Sequence, residues 1–281
     1  MTSPYLSAND HNRDIAGMTY VYPVLSRRAG GLSIGINLNP NNACNWRCIY
    51  CQVPDLTRGA PPTIDLTQLE RELRQQLEEV VHGDFLQRHL PEGSRRLADI
   101  AFSGNGEPTS AREFPQAIAI VEQVLRDFDL LGKVQVRLIT NGSLVDRPGV
   151  LDAIANLSRC HGEVWFKVDG ATSAAIARIN DVQLNPHGIV ERLRHCANAC
   201  LTWVQTCMFA LDGAPPSEAE LDAYLDLLAQ VADDIAGVHL YGLARPSMQA
   251  EAPRLTRLPP EWLEALAGRI RQLGLRVKVS P

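Results

Sequence analysis

No run of apolar residues in this chain approaches the length of a bilayer span, and the opening stretch MTSPYLSANDHNRD holds no apolar signal core. The expectation is a cytoplasmic protein with no membrane segment. Internal repeats, low-complexity tracts and a convincing linker are also missing, which sets aside solenoids and arrays. One domain over residues 1–281 is the economical reading, with extensions at about 1–30 and about 246–281 flanking its core. Positive charge is not in excess: the net charge is -5, which is not that of a nucleic-acid binder taken whole. Lysine is scarce, three residues against twenty-four arginines, so a lysine inside an apolar strand stands out.

The charge that is present is unevenly spread. Residues 1–60 carry five arginines against three acids, and residues 242–281 carry six arginines and one lysine against three acids. The middle therefore holds about -11, and an anionic substrate would be better received by the two ends. Seven cysteines in a reducing compartment are better suited to free thiols or metal ligands than to disulfides. Three of them fall within eight residues, Cys44-Asn-Trp-Arg-Cys48-Ile-Tyr-Cys51. A buried thiol cluster, a disulfide and a structural zinc site are the plain readings, but zinc of that kind wants four protein ligands and this segment offers three. The sharper one is an iron-sulfur cluster held by three cysteines, with one iron left open to another molecule.

Along the chain, strand and helix patterns alternate. The first strand is the alternating run 32–38, which leads directly into the cysteine loop, and a helix opens at Asp65 and runs to about His89. Strands follow at 98–103, 134–139, 164–169, 202–210 and 238–244, with helices near 114–131, 149–157, 171–179, 188–199, 217–232 and 260–273, and a short strand near 276–279. Six strands alternating with helices predict an α/β fold with a parallel sheet curled into an open or closed barrel. In such a barrel the carboxyl ends of the strands share one face, where sites are built. At those ends lie the cysteines, the turn Gly104-Asn105-Gly106-Glu107-Pro108, the turn Thr140-Asn141-Gly142, the pair Lys167 and Asp169, and the segment from Tyr241 to Pro246. The two glycines beside Glu107 permit close backbone approach, and such a loop can hold an amino group. Lys167 and Asp169 lie two apart on one strand face, able either to neutralise each other or to reach a bound cofactor. Arg27, Arg28, Tyr241 and Arg245, from the basic ends, are candidates for the substrate side.

The spacing Cys44-x-x-x-Cys48-x-x-Cys51, with Tyr50 just before the last cysteine, resembles the signature of the radical S-adenosylmethionine superfamily. Gly104 to Pro108 is similar to the superfamily's methionine-binding Gly-Gly-Glu loop, with Asn105 and Gly106 in place of the glycine pair. More narrowly, Tyr22-Pro-Val-Leu-Ser-Arg-Arg, Cys51-Gln and Phe102-Ser-Gly-Asn-Gly-Glu-Pro-Thr resemble short wyosine-synthetase-like iron-sulfur oxidoreductases. The resemblance covers nearly the whole chain and implies a partial (βα)6 TIM-like barrel. It implies a [4Fe-4S] cluster on Cys44, Cys48 and Cys51 whose open iron chelates the amino and carboxylate groups of S-adenosylmethionine. One electron from a flavodoxin- or ferredoxin-type reductant would cleave the sulfonium to methionine and a 5'-deoxyadenosyl radical, which takes a hydrogen atom from the substrate. By the same analogy Gly106 and Glu107 hold the methionine amino group, Tyr50 lies near the adenine, and Lys167 or Asp169 reaches the ribose or carboxylate. The glycine motif that packs adenine in many relatives is not obvious on the fifth strand.

A tRNA base is the substrate that the subgroup's name suggests. The alternatives are a peptide, a glycine of a partner enzyme or a small metabolite, and, from another class, a metal-bound module without turnover. Cys160, Cys196, Cys200 and Cys207 are expected to be core thiols, with a second cluster as the alternative.

Overall fold

The computed structural model describes residue 6, residues 17–26 and residues 30–281. Its centre is an eight-stranded sheet in the order β1 (Val21–Ser26), β2 (Gly31–Ile36), β5 (Leu97–Phe102), β6 (Gln135–Thr140), β7 (Gly162–Lys167), β8 (Thr202–Cys207), β10 (Gly237–Tyr241), β12 (Val277–Ser280). β1 (Val21–Ser26) and β2 (Gly31–Ile36) form an antiparallel hairpin, with Val21 opposite Ile36 and Ser26 opposite Gly31. The sequence pattern had marked only the second of these as a strand. The first is held there by Tyr22, whose ring crosses Gly35 so closely that a Cβ at Gly35 would lie 2.1 Å from it. The short pieces β3 (Ala43–Cys44) and β4 (Thr57–Arg58) pair in parallel across the cysteine loop.

From β2 onward the main sheet is parallel: β5 (Leu97–Phe102), β6 (Gln135–Thr140), β7 (Gly162–Lys167), β8 (Thr202–Cys207), β10 (Gly237–Tyr241) and β12 (Val277–Ser280). Since β1 and β12 end the order without pairing to each other, the sheet is a partial barrel. The expected strand 202–210 divides at Cys207: β9 (Ala210–Leu211) leaves the sheet and pairs antiparallel with β11 (Leu255–Thr256).

The helices cover the outer face in the way the alternation demands: α1 (Leu66–Val81), α2 (Phe85–His89), α3 (Phe114–Asp127), α4 (Val150–Ser158), α5 (Ser173–Asn180), α6 (Pro186–Ala199), α7 (Glu218–Ala229) and α8 (Pro260–Arg271). The helix expected over 65–89 breaks at His82 and Gly83 into α1 and α2. Asp65 caps α1 by accepting from the Gln68 N–H at 3.0 Å, and Leu69, Leu73 and Leu77 bury one face completely. They meet Ile34, Ile36, Ile100 and Phe102 in a single large core. Inside the barrel, ions and aromatics close the amino end of the lumen. Arg137 is paired with Asp99 and Glu163 and lies 5.0 Å over the Trp165 ring, while His239 packs between Trp165 and Trp203 at 4.5 and 4.7 Å. Only the carboxyl end is left for a site.

Candidate active site at the carboxyl ends of the strands

The cysteine loop is docked on two segments far away in sequence. At the end of α5 the carbonyls of Ile179 and Asn180 accept from the N–H groups of Ile49 (2.9 Å) and Arg47 (3.2 Å), and the Asn180 amide donates to Cys48 Sγ at 3.2 Å. Asp181, in the left-handed conformation at φ 56°, takes both Arg47 and Arg58. On the other side Ser247 Oγ donates to the carbonyls of Ile49 and Cys51, and the Met248 N–H donates to Cys51 O at 2.9 Å. None of these docking residues was singled out in the sequence; Ile179-Asn180-Asp181 looks there like an ordinary helix end, and the signal lies in contacts across 123 positions or more.

Burial pushes the Cys44 thiol up to about 11 and the Cys48 thiol up to about 12, so as free thiols both keep their protons. Ligation would displace those protons. The three cysteines border a cavity of about 180 Å³ together with Trp46, Tyr50, Ser103 and residues 104–107. Among the described residues no three His, Cys, Asp or Glu side chains converge on one point as ligands of a single ion would. A four-iron cluster asks for something else, one thiolate on each of three irons.

The Gly104–Pro108 turn presses against the cysteine strand. A Cβ on Gly106 would lie 2.1 Å from the Ala43 carbonyl oxygen, and one on Gly104 would lie 2.4 Å from Asn37 Oδ1, with φ at 148°. Glu107 is buried, and its two oxygens accept four bonds: from the Thr109 N–H and hydroxyl (3.1 and 2.6 Å), the Thr140 hydroxyl (2.7 Å) and the Asn141 N–H (2.6 Å). Burial nonetheless holds this carboxyl above its ordinary range. The Thr140-Asn141 turn is thus bound to the glycine turn through one carboxylate, and Pro108 follows it as the first residue of a short helical turn. Asn105, which borders the cavity, donates to Asn42 and leaves its own Oδ1 buried without a partner.

Lys167 donates to the Tyr50 hydroxyl, and that hydroxyl donates to Asp169 Oδ2. Asp169 also accepts from Asn180 Nδ2 at 3.0 Å and from the Cys207 N–H at 3.1 Å. Lys167 and Asp169 are 3.9 Å apart, so they pair, and of the two Lys167 borders the cavity. Burial pulls the ammonium's pKa down, but Tyr241, Asp169 and the thiols facing it outweigh that and leave it well above the usual value. Desolvation raises Tyr50, which stays a neutral phenol.

A second cavity of about 500 Å³ adjoins the first, sharing Tyr50, Cys51, Gly104 and Lys167 and bounded by Gln205, Cys207, Tyr241 and Arg245. Tyr241 and Arg245 thus line this larger cavity. Arg27 and Arg28 lie outside the described residues. Cys160, Cys196 and Cys200 are buried in the main core, and Cys207 faces the lumen.

A family model described as the Radical SAM superfamily matches residues 38–220, and the chain belongs to that superfamily. Its enzymes use a [4Fe-4S] cluster and S-adenosylmethionine, and the donor set found here fits both. The chain is 32% identical over 158 residues to the UPF0026 protein MJ1312 of Methanocaldococcus jannaschii, covering 56% of this chain and 42% of that protein, so it spans under half of that relative's length. In fold it is similar to a radical SAM methyltransferase from Sphaerobacter thermophilus (TM-score 0.59, 13% identity, 92% of this chain and 68% of that one). It is likewise similar to TYW1 with a lysine-pyruvate adduct bound (TM-score 0.56, 15% identity, 87% and 74%). No described helix is long and apolar enough to cross a membrane.

Proposed function

We propose that this chain cleaves S-adenosylmethionine reductively, with Cys44, Cys48 and Cys51 holding the cluster and Gly104 to Pro108 receiving the methionine end. When bound, cluster and S-adenosylmethionine supply one-electron cleavage and a 5'-deoxyadenosyl radical that takes hydrogen from the substrate. The observation that carries the reading is that the three thiols and the glycine turn border one cavity. Tyr50 and Lys167 border both cavities, where they bind and orient the nucleoside part, with Asp169 bonded to both, while Thr140 and Asn141 brace the turn through Glu107. The electron comes from a flavodoxin- or ferredoxin-type reductant. Production of 5'-deoxyadenosine under dithionite, lost in Cys48→Ala, is the expected result; no product from iron-loaded protein overturns it.

For the substrate, a tRNA base seated in the larger cavity against Tyr241 and Arg245 is the reading that the basic ends allow. A second reading, a peptide, a glycine of a partner enzyme or a small metabolite, is favoured by a specific observation. Arg47, Arg58, Arg254, Arg269 and Arg271, all from the two basic ends, are taken up by acidic side chains of the chain itself. Binding to tRNA that weakens steeply with salt supports the first reading, and binding indifferent to salt, or none, supports the second.

A further inference from the structure

We propose that Asn180 is a positioning residue that sets the reduction potential of the cluster held by Cys44, Cys48 and Cys51, by donating one of its amide protons to the Cys48 sulfur. The inference rests on the radical SAM reading of the cysteine loop and deepens it.

Asn180 is the last residue of α5 and is 2% exposed. Its Nδ2 lies 3.2 Å from Cys48 Sγ and 3.0 Å from Asp169 Oδ2. A side-chain amide has two protons, and here each faces an acceptor, a sulfur and a carboxylate. The orientation of the amide follows from that chemistry, since an amide oxygen at the same place would face two acceptors. Asp169 cannot yield, because its other oxygen accepts from the Cys207 N–H and Tyr50 donates to the shared one. The main chain fixes the distance as well: Arg47 and Ile49, on either side of Cys48, donate to the carbonyls of Asn180 and Ile179. Cys44 Sγ differs, accepting at 3.4 Å from the N–H of Trp46 within its own loop. Cys48 is thus given a donor from outside the loop, on a rigid helix end.

A hydrogen bond to a ligating thiolate draws electron density from the sulfur and favours the more negative, reduced cluster, which raises its potential. Removing the donor lowers it. The reduced cluster is the state that delivers the electron, so the helix end balances ease of reduction against reducing power.

The test is an anaerobic redox titration of the reconstituted full chain, followed by EPR of the reduced cluster. Asn180→Leu keeps the branching of the side chain and removes the donor; its reduction equilibrium is expected to fall about tenfold, a midpoint lower by about 59 mV for a one-electron couple. A variant with full iron content and an unchanged or higher midpoint overturns the inference. Should Asn180→Leu fail to fold, the wild type decides: with asparagine labelled by ¹⁵N, the difference between the pulsed-EPR spectra of wild type and Asn180→Ser is expected to hold one weak nitrogen coupling, couplings common to both belonging to Asn45 and Asn105. Absence of that coupling in the wild type, or its survival in Asn180→Ser, sinks the inference. Wild-type protein that binds no iron sinks the radical SAM reading instead, so the two failures are told apart.

Discussion

Arg47 grips Glu251 with both terminal nitrogens, Nη1 to Oε2 at 3.0 Å and Nη2 to Oε1 at 2.7 Å, so the loop carrying the three cysteines is tied to the segment that follows β10. A two-point guanidinium-carboxylate contact is directional, and that matters more here than its modest contribution to global stability. In Arg47→Ala the loop keeps its backbone bonds to α5 and loses this clamp. The expected outcome is a fall of about 1 kcal/mol or less in unfolding free energy, together with several-fold faster iron loss to a chelator. The Arg47 guanidinium holds the Glu251 carboxyl below its usual range. A depressed carboxyl stabilises the fold above its unfolded pKa and loses that contribution as pH falls through the folded one. Iron retention in the wild type should therefore be flat from about pH 6 to 8, and the advantage over Glu251→Gln should vanish only in acid.

Much of this arrangement was legible in the sequence, and the boundary has a physical origin. Strand alternation and the glycine turns are local signals, so the parallel strands, the carboxyl-end face and the residues 104–108 could be placed from the chain itself. Tyr22 packing on Gly35 makes a strand that the periodicity of 19–30 does not announce, and the split of 202–210 at Cys207 depends on Asp169 taking the Cys207 N–H. Glu107 shows the same limit. Its position beside the glycines suggested an open carboxylate facing a ligand, whereas both oxygens are committed to Thr109, Thr140 and Asn141. Contacts that join segments of the chain 30 to 200 residues apart leave no local pattern.

Glu107→Gln tests that commitment. The substituted amide sets an NH₂ group against one set of donors, leaving buried N–H and O–H groups unmatched. The cost expected is about 2–3 kcal/mol by urea unfolding, accompanied by weaker S-adenosylmethionine binding. A variant as stable as the wild type would show that the carboxylate does not join the two turns.

Two glycines give a paired experiment on close approach. Gly106→Ala sets a methyl 2.1 Å from the Ala43 carbonyl, so the turn must move away from the cysteine strand, at a cost of about 1–3 kcal/mol and with reduced cluster loading. Gly268, inside α8, has nothing within 4 Å of such a methyl. Gly268→Ala is expected to stabilise by about 0.5–1 kcal/mol, read as a raised Tm with iron content unchanged.

The core cysteines separate one cluster from two. Cys196 is enclosed by the main core, with its sulfur 3.5 Å from the Thr202 hydroxyl, and burial raises it to about 12. Cys196→Ala and Cys200→Ala should each cost about 1 kcal/mol and leave the iron content of reconstituted protein where it was. Loss of half the iron in either variant would establish a second cluster.

Lys167 and Asp169 carry the sharpest test of buried charge in the site. The Asp169 side chain is 0% exposed and the Lys167 side chain 19%, and Tyr50 sits between them. Lys167→Met strands the carboxylate with phenol and amide donors but no cation. The expected loss is about 3 kcal/mol or more in unfolding free energy. Asp169→Asn in the Lys167→Met background removes that charge but sets an amide against the Tyr50, Asn180 and Cys207 donors, and a double-mutant cycle in urea measures the Lys167–Asp169 coupling. If the two substitutions add independently, Lys167 is held at the cavity by Tyr50 and its other neighbours alone, and its charge is directed at the bound molecule rather than at Asp169.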